Sequence, residues 1–229
     1  MSAIEPSRVS VVLPVYNQGD HIAGVAEAHL AMLDRLWPEH ELLLVTNGCR
    51  DDSVAVCTEL AERHPTVRTF DLPVGGWGRA VRAGLRRAEG DVLCYTNSAR
   101  TTPEMLALML SYARAYPHVV VKANRRLRER LRRRLGSLLY NLEARALFDL
   151  AVWDINGTPK VFPRSFDQLG ELRREDDLFD LEFVVTCQRA GYPIVEIPVL
   201  STTRHGGAST TDLRAAVRMY AGAIRLRLQ

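Results

Sequence analysis

The sequence lacks any uninterrupted apolar run of about 18 residues, the length that a membrane-spanning helix requires. Met1 to Arg8 also lack the apolar segment of a secretory signal peptide. We therefore expect a chain that stays in the cytoplasm, with the inner face of the cell membrane as its candidate location. The sequence contains no internal repeat and no low-complexity linker, so it predicts one domain over residues 1–229.

The cysteines lack the paired C-x-x-C spacing of a structural zinc site, which argues against such a site. Buried thiols in a reducing compartment are then the default interpretation of Cys49, Cys57, Cys94 and Cys187. An excess of one charge is also absent, because the formal net charge is only +3. With an apolar fraction of 47%, the chain has the composition of a globular protein that forms its core without covalent cross-links.

What the chain does contain is a regular alternation of strand and helix patterns. Apolar strand patterns occur at residues 9–14, 41–45, 67–72, 91–95, 118–122 and 192–199. Helical periodicity occurs at residues 22–33, 54–61, 79–89, 103–116, 178–189 and 212–229. This alternation predicts an α/β fold with a mostly parallel central sheet and helices on both faces.

Polar residues follow the first, second and fourth of these strands. Ligands of open α/β sheets bind outside the carboxyl ends of the strands, so these residues are expected to lie at one edge. The sequence therefore predicts a nucleotide site there, formed by Pro14, Tyr16, Asn17, Thr46, Asn47, Asn97 and Ser98.

Five blocks of the sequence together resemble family 2 glycosyltransferases of the GT-A type, most closely the polyprenyl-phosphate sugar synthases. These blocks are Leu13-Pro-Val-Tyr-Asn17, the glycine-rich turn and helix at 76–85, Gly90-Asp-Val-Leu-Cys-Tyr95, Asp154 to Arg164, and Phe179 to Val199. Each block is short, but their order and spacing match the family, and the resemblance covers nearly the whole chain.

The resemblance implies a single Rossmann-like GT-A domain with a basic amphipathic helical insertion. Residues 1–122 would form the nucleotide-binding half, 123–152 the interfacial helices, and 153–229 the acceptor-side half. The implied activity is an inverting transfer of a sugar from a nucleotide-sugar donor to polyprenyl phosphate or a similar acceptor. The implied site residues are Gly78 for the donor and, for catalysis, Asp154, Lys160, Arg164 and Asp180.

Two departures from the family pattern bear on the chemistry. Thr46 and Asn47 stand where the family has an acidic pair, although an amide can still hydrogen-bond a base or a ribose. Asn97-Ser98-Ala99 stands where the family has the Asp-x-Asp that holds a divalent cation. The resemblance implies Mg²⁺ or Mn²⁺ as a cofactor, whereas these neutral side chains are poor ligands for hard cations.

Three explanations of the second departure stay open. The metal is bound by other residues, or the protein is weak or inactive as an enzyme and only binds nucleotide-sugars, or basic groups replace the metal. Arginine matches phosphate geometry, so the basic candidates are Arg79, Arg100, Arg204 and His205. A phosphate acceptor hardly needs a general base, whereas a soluble hydroxyl acceptor would need one. The candidate carboxylates are Asp154, which by the resemblance could instead help to hold a metal, Asp177 and Asp180.

A basic segment followed by an apolar one occupies residues 124–151, with Gly136 as a candidate break between two helices. Its front half carries Arg125, Arg126, Arg128, Arg130, Arg132, Arg133 and Arg134, and its back half is rich in leucine. Leucines among arginines are typical of an interfacial helix on an anionic membrane. The resemblance to polyprenyl-phosphate synthases implies that this helix pair lies beside the lipid-phosphate acceptor. A solvated or packed face is the alternative. We do not expect nucleic acid as a partner, because no recognition motif accompanies the arginines.

Overall fold

The computed structural model describes residues 8–125, 131–200 and 213–227. In this part of the chain, seven strands form one sheet in the order β3-β2-β1-β4-β6-β5-β7. The strands are β1 (Val9–Val15), β2 (His40–Asn47), β3 (Val67–Leu72), β4 (Val92–Tyr95), β5 (Val120–Arg125), β6 (Lys160–Pro163) and β7 (Ile194–Val199). Strand β6 pairs antiparallel with both of its neighbours, and the other pairs are parallel.

Helices cover both faces of the sheet, as predicted. One face packs against α1 (Ile22–Leu36), α2 (Ser53–Arg63) and α4 (Pro103–Ala115). The other face packs against α3 (Trp77–Arg87), α5 (Leu131–Phe148), α6 (Phe179–Arg189) and α7 (Leu213–Arg227). The mostly parallel α/β fold is thereby confirmed, with an apolar core on each side of the sheet.

Strands β1 and β2 are buried along their whole length because helices cover them on both faces. The ladder between β1 and β4 ends at the pair Val12–Tyr95, whereas the ladder between β1 and β2 continues to Val15. Pro14 has no N–H to donate, and it lies just beyond the point where β4 pairing stops. The proline therefore closes the β4 ladder and leaves the chain free to turn outward into the site.

The segment after β5 differs from the sequence prediction in two ways. Strand β5 extends through Arg125, because it pairs with β7 as far as Val199. The predicted break at Gly136 is wrong, because α5 runs through this position and the Tyr220 hydroxyl of α7 donates to the Gly136 carbonyl. Arg126, Arg128 and Arg130 of the basic segment lie outside the described residues.

Within residues 8–125, 131–200 and 213–227, no helix combines the length and the apolar character that crossing a bilayer requires.

Candidate functional site

The carboxyl ends of β1, β2 and β4 form an edge of neutral polar groups, which we call the neutral edge. Tyr16 is exposed there, and Asn17 adopts a positive φ of 50°. The Asn17 side-chain oxygen accepts a hydrogen bond from the Arg50 amide at 2.8 Å. The Thr46 hydroxyl donates to Asp71 at 2.8 Å. The structure thus brings together the residues that the strand-end argument predicted.

Asn47 is a structural link at this edge. Its Nδ2 donates to the Val15 carbonyl at 2.8 Å, and its Oδ1 accepts from the Gly76 amide at 3.0 Å. The side chain is only 4% exposed. Asn47 therefore joins the end of β1 to the turn before α3, and its amide is engaged by the backbone.

The glycine-rich turn at 75–78 lies directly under residues 174–177, which we call the acidic strap. A Cβ on Gly78 would approach the Arg174 carbonyl oxygen to 2.5 Å, so a larger residue would push the strap away. Arg79, the candidate diphosphate ligand, donates from Nε to Glu175 at 3.0 Å. This pairing holds the guanidinium on the strap.

Asn97-Ser98-Ala99 forms a closed turn at the end of β4. Asn97 Oδ1 accepts from the Ala99 amide at 2.8 Å, and the Ser98 hydroxyl donates to Gln18 at 2.6 Å. The turn presents no carboxylate, because its residues are an asparagine, a serine and a buried alanine. Among the described residues, no group of three or more His, Cys, Asp or Glu side chains is arranged to hold a metal ion. In the part of the chain that the structure describes, this turn therefore offers no carboxylates that could hold a divalent cation.

The other half of the sheet carries a row of polar side chains, which we call the charged row. Tyr95 of β4, Lys160 of β6, Lys122 of β5 and Glu196 of β7 are successive register partners. Side chains of register partners point to the same face of a sheet. The row therefore crosses four strands on the face that α5 and α6 cover.

Asp180 of α6 is the counter-ion at one end of this row. It accepts from Lys160 Nζ, from the Tyr95 hydroxyl at 2.8 Å and from Trp77 Nε1 at 3.0 Å. Burial lowers the pKa of Lys160, and the Asp180 carboxylate opposes this shift. Burial and the charge of Asp180 raise the pKa of Tyr95 well above its ordinary value, so the phenol stays a donor. The predicted residues Lys160 and Asp180 thus form one buried ion pair.

Lys122 and Glu196 form a second ion pair, 2.7 Å from Nζ to Oε1. Lys122 also donates to the Trp153 carbonyl, and Glu196 accepts from the Trp153 amide at 2.8 Å. Burial lowers the pKa of Lys122 to about 8, against the attraction of Glu196. Neither residue was among the sequence candidates.

Asp154 binds Arg125 in a bidentate pair next to these lysines. Its Oδ2 accepts from Arg125 Nε at 2.7 Å and its Oδ1 from Nη2 at 2.8 Å. The Arg125 amide also donates to Oδ2 at 2.9 Å. Both carboxylate oxygens are thus occupied by an arginine, which argues against Asp154 as a metal ligand or a free base.

The structure separates one predicted catalytic residue from the others. Arg164 donates to the carbonyls of Ala88 and Gly90, both at 2.7 Å, near the amino end of β4. Because β6 runs antiparallel to β4, its first residue Lys160 lies at the carboxyl edge and the residue after its end lies at the opposite edge. Arg164 is therefore a structural residue in this fold. Arg204 and His205 lie outside the described residues.

A model of glycosyl transferase family 2 matches residues 10–169, more than half of the chain. The chain belongs to glycosyltransferase family 2. This agrees with the neutral edge, the glycine-rich turn and the Asp154–Arg164 block, which carried the resemblance in the sequence.

Similar curated proteins are longer than this family 2 chain. Glycosyltransferase AglD of Haloferax volcanii is 27% identical over 202 residues, which are 83% of this chain and 32% of that relative. An undecaprenyl-phosphate 4-deoxy-4-formamido-L-arabinose transferase of Pectobacterium atrosepticum is 32% identical over 143 residues, 60% of this chain and 43% of the relative. The chain thus spans less than half of the length of either protein.

Solved structures with the same fold are GT-A glycosyltransferases. Glucosyl-3-phosphoglycerate synthase of Mycobacterium tuberculosis, in complex with Mn²⁺, UDP and phosphoglyceric acid, has a TM-score of 0.72 at 19% identity and covers 96% of this chain and 78% of its own. Mannosyltransferase PcManGT of Pyrobaculum calidifontis, in complex with GDP-Man and Mn²⁺, has a TM-score of 0.65 at 21% identity, over 97% and 65% of the two chains. These similarities establish the GT-A fold.

Proposed function

We propose that this family 2 member transfers a sugar, with inversion, from a nucleotide-sugar to a polyprenyl phosphate or a similar phosphate acceptor. The observation that carries the proposal is a pair of partly exposed arginines, Arg125 at the carboxyl end of β5 and Arg79 in the first turn of α3. A site that joins two phosphate-bearing substrates needs such cations, because arginine and lysine bind phosphate oxygens strongly. The names of the undecaprenyl-phosphate and dolichyl-phosphate relatives support the same acceptor class.

The donor would occupy the neutral edge, with its base and ribose against Tyr16, Asn17 and the β2 end. Solved relatives in complex with UDP and with GDP-Man support a nucleoside diphosphate leaving group. Its charge must be stabilised as it leaves. Since the turn at 97–99 has no carboxylate for a cation, Arg79 is our candidate for that role, because its side chain is 34% exposed, whereas Lys160 is fully buried against Asp180.

The acceptor phosphate would bind at Arg125, which is partly exposed beyond its pair with Asp154. An anionic phosphate oxygen is itself the nucleophile and needs no general base. It forms the new bond to the anomeric carbon as the bond from that carbon to the diphosphate oxygen breaks. The electron pair leaves with the diphosphate, and the configuration at that carbon is inverted.

Helix α5 supports an acceptor that resides in a membrane. Leu138, Leu139 and Leu142 are 44%, 59% and 46% exposed and lie on one side of the helix. An exposed leucine stripe next to a basic segment fits the interface of an anionic bilayer. We therefore propose peripheral contact through α5, with the chain at the cytoplasmic side.

The direct test is a transfer assay with a panel of UDP- and GDP-sugars and a short-chain polyprenyl phosphate. We expect release of the nucleoside diphosphate together with a sugar-phosphate lipid. The matched control is the corresponding polyprenyl alcohol, which lacks the phosphate and should accept no sugar. Equal transfer to the alcohol, or to phosphoglyceric acid alone, would contradict the proposed acceptor.

A second candidate function is nucleotide-sugar binding without catalysis. The closed Asn97-Ser98-Ala99 turn favours it, because this turn offers no carboxylate where the family holds its cation. Thermal stabilisation by a nucleotide-sugar, without turnover on any acceptor in the panel, would support this alternative.

A further inference from the structure

Glu196 and Lys122 lie on strands β7 and β5, and both contact the backbone of Trp153. We propose that these two residues are positioning residues, which hold Asp154 and, through it, the Arg125 guanidinium in the orientation that binds the acceptor phosphate. The inference rests on the proposed function, since it assigns a role in acceptor binding. We call Lys122, Glu196 and the Trp153 backbone the brace.

The brace fixes the backbone of Trp153 at its N–H and at its C=O, which belong to successive peptide groups. Glu196 Oε2 accepts from the amide at 2.8 Å, and Lys122 Nζ donates to the carbonyl oxygen. The two side chains also bind each other at 2.7 Å. Lys122 is fully buried and Glu196 is 18% exposed, so this closed ring of contacts has little competition from water.

The next residue, Asp154, needs such support. Its φ of 47° lies in the left-handed region, which non-glycine residues adopt rarely and only where the surroundings hold them. Gly157 closes the same turn by donating to the Asp154 carbonyl at 2.6 Å, and a Cβ there would collide with the Ala123 carbonyl. The turn is thus pressed against β5 between Lys122 and Arg125.

A chain of direct contacts connects the brace to the phosphate-binding group. Glu196 and Lys122 hold the backbone of Trp153, which fixes the backbone of the next residue, Asp154. The Asp154 carboxylate in turn accepts hydrogen bonds from the guanidinium and the backbone amide of Arg125. Only Arg125 would touch the acceptor. Displacing the Trp153 backbone would therefore turn the guanidinium without removing any group that binds the substrate.

A role in stability alone would not need this pair. Replacing a buried ion pair by apolar residues of similar volume is often neutral or stabilising. The ion pair fixes the orientation of the turn, because its carboxylate binds the N–H of Trp153 and its ammonium binds the C=O of the same residue. The geometry is therefore better explained by orientation than by burial.

The test uses Glu196→Gln and, as a matched control, Glu41→Gln. Glu41 is a buried carboxylate of β2 that also binds a cation, Arg68 at 2.7 Å, and a backbone amide, that of Glu89 at 2.6 Å. It lies near the amino end of its strand. Calorimetry would measure the dissociation constants of a short-chain polyprenyl phosphate and of UDP and GDP, and urea unfolding would measure stability.

We expect Glu196→Gln to weaken polyprenyl phosphate binding at least tenfold and to leave nucleotide binding unchanged. Glu41→Gln should lose stability but keep both affinities within twofold. A double variant, Lys122→Met with Glu196→Leu, removes both charges and should recover stability relative to the single variants while polyprenyl phosphate binding stays weak. Recovery of binding together with stability would show a structural role only, and would overturn the inference.

The pH dependence of binding gives a readout that a structural role would not move. Lys122 faces Glu196 from β7, Lys160 from β6 and Asp154 from the turn, and Asp180 of α6 faces Lys160. Its pKa is lowered to about 8, so polyprenyl phosphate affinity should fall above this pH as the ammonium loses its proton. Removing the negative charge of Glu196 lowers this pKa further. Glu196→Gln should therefore shift the fall to lower pH, and Glu41→Gln should not.

The outcomes separate the inference from the proposed function. If the parent binds polyprenyl phosphate and Glu196→Gln binds it equally with an unshifted pH dependence, the positioning role is wrong and the acceptor proposal stands. If the parent binds no polyprenyl phosphate at all, the acceptor proposal fails and the positioning role fails with it.

Discussion

The two halves of the sheet's carboxyl edge are held together by different kinds of interaction. At the neutral edge, Asn47 and Asn97 are amides that bind backbone groups: Asn47 those of Val15 and Gly76, and Asn97 that of Ala99. In the charged row, Lys160 and Lys122 are ammonium groups that bind the carboxylates of Asp180 and Glu196. The first half is fixed by uncharged hydrogen bonds and the second by balanced charges.

The neutral edge is therefore held by uncharged side chains, and the buried charges are concentrated in the charged row. Neutral hydrogen bonds contribute only about 0.5–1.5 kcal/mol each, and they do not depend on pH in the ordinary range. A buried charge that loses its partner costs several times more. Substitutions in the charged row should therefore lower the free energy of unfolding more than substitutions at the neutral edge, and the following predictions test that contrast.

The largest effect is expected for Asp180→Asn. An amide cannot neutralise Lys160, so the variant leaves a buried ammonium uncompensated, at a cost of about 3–5 kcal/mol in the free energy of unfolding. Urea unfolding measures this loss. Asp71→Asn near the end of β3 is the control: Asp71 is exposed and an amide oxygen can still accept from the Thr46 hydroxyl, so the change should stay within about 0.5 kcal/mol. Equal losses in the two variants would remove the contrast.

A smaller effect is expected for Asn47→Ala. The change leaves the Val15 carbonyl and the Gly76 amide without their partner, at a cost of about 1–3 kcal/mol. Nucleotide affinity should fall with stability, because the turn before α3 loses its anchor. Calorimetry and urea unfolding measure both. A loss of affinity at full stability would instead indicate that Asn47 contacts the nucleotide directly.

Next in size is the replacement of Leu138, Leu139 and Leu142 by glutamine. We expect about tenfold weaker sedimentation with phosphatidylglycerol vesicles, or about 1.4 kcal/mol, because apolar area leaves the interface. The control is the same change at Leu108 and Tyr112, which are exposed on α4 across the sheet. Equal binding by the α5 variant and the parent would contradict membrane contact through this helix.

The smallest effect is expected for removal of metal. Sugar transfer in EDTA should stay within about twofold of transfer in Mn²⁺, because the turn at 97–99 presents neutral groups. The variant Asn97→Asp with Ala99→Asp should acquire a dependence on Mn²⁺. Activity of the parent that vanishes in EDTA and returns with Mn²⁺ would refute the idea that basic side chains such as Arg79 replace the cation.

Much of the fold was predictable from the sequence because its strands are short apolar runs. The six predicted strands are present, with shifts of a few residues at their ends. Strand β6 was not predicted, since Lys160-Val-Phe-Pro163 is short and begins with a charge. Its antiparallel insertion between β4 and β5 depends on tertiary pairing, which periodicity does not report.

The site was predicted less completely, for a related reason. The strand-end argument located the neutral edge because those residues follow apolar runs. It missed Lys122 and Glu196, which lie inside such runs. A lysine within Val119-Val-Val-Lys122 and a glutamate within Ile194-Val-Glu-Ile197 were signals, because a charge inside a buried strand needs a partner. The sequence could not show that each was the other's partner.

The strand order also has a consequence for synthesis on the ribosome. Strand β5 pairs with β6 and β7, and both are translated after it. When Arg125 emerges, β5 has no neighbour to join, and β4 offers one unpaired edge. Exposed strand edges are templates for association with other chains, and distant pairings form slowly. The nascent chain is thus exposed to association with other chains until Val199 has emerged and the last strand can complete the sheet.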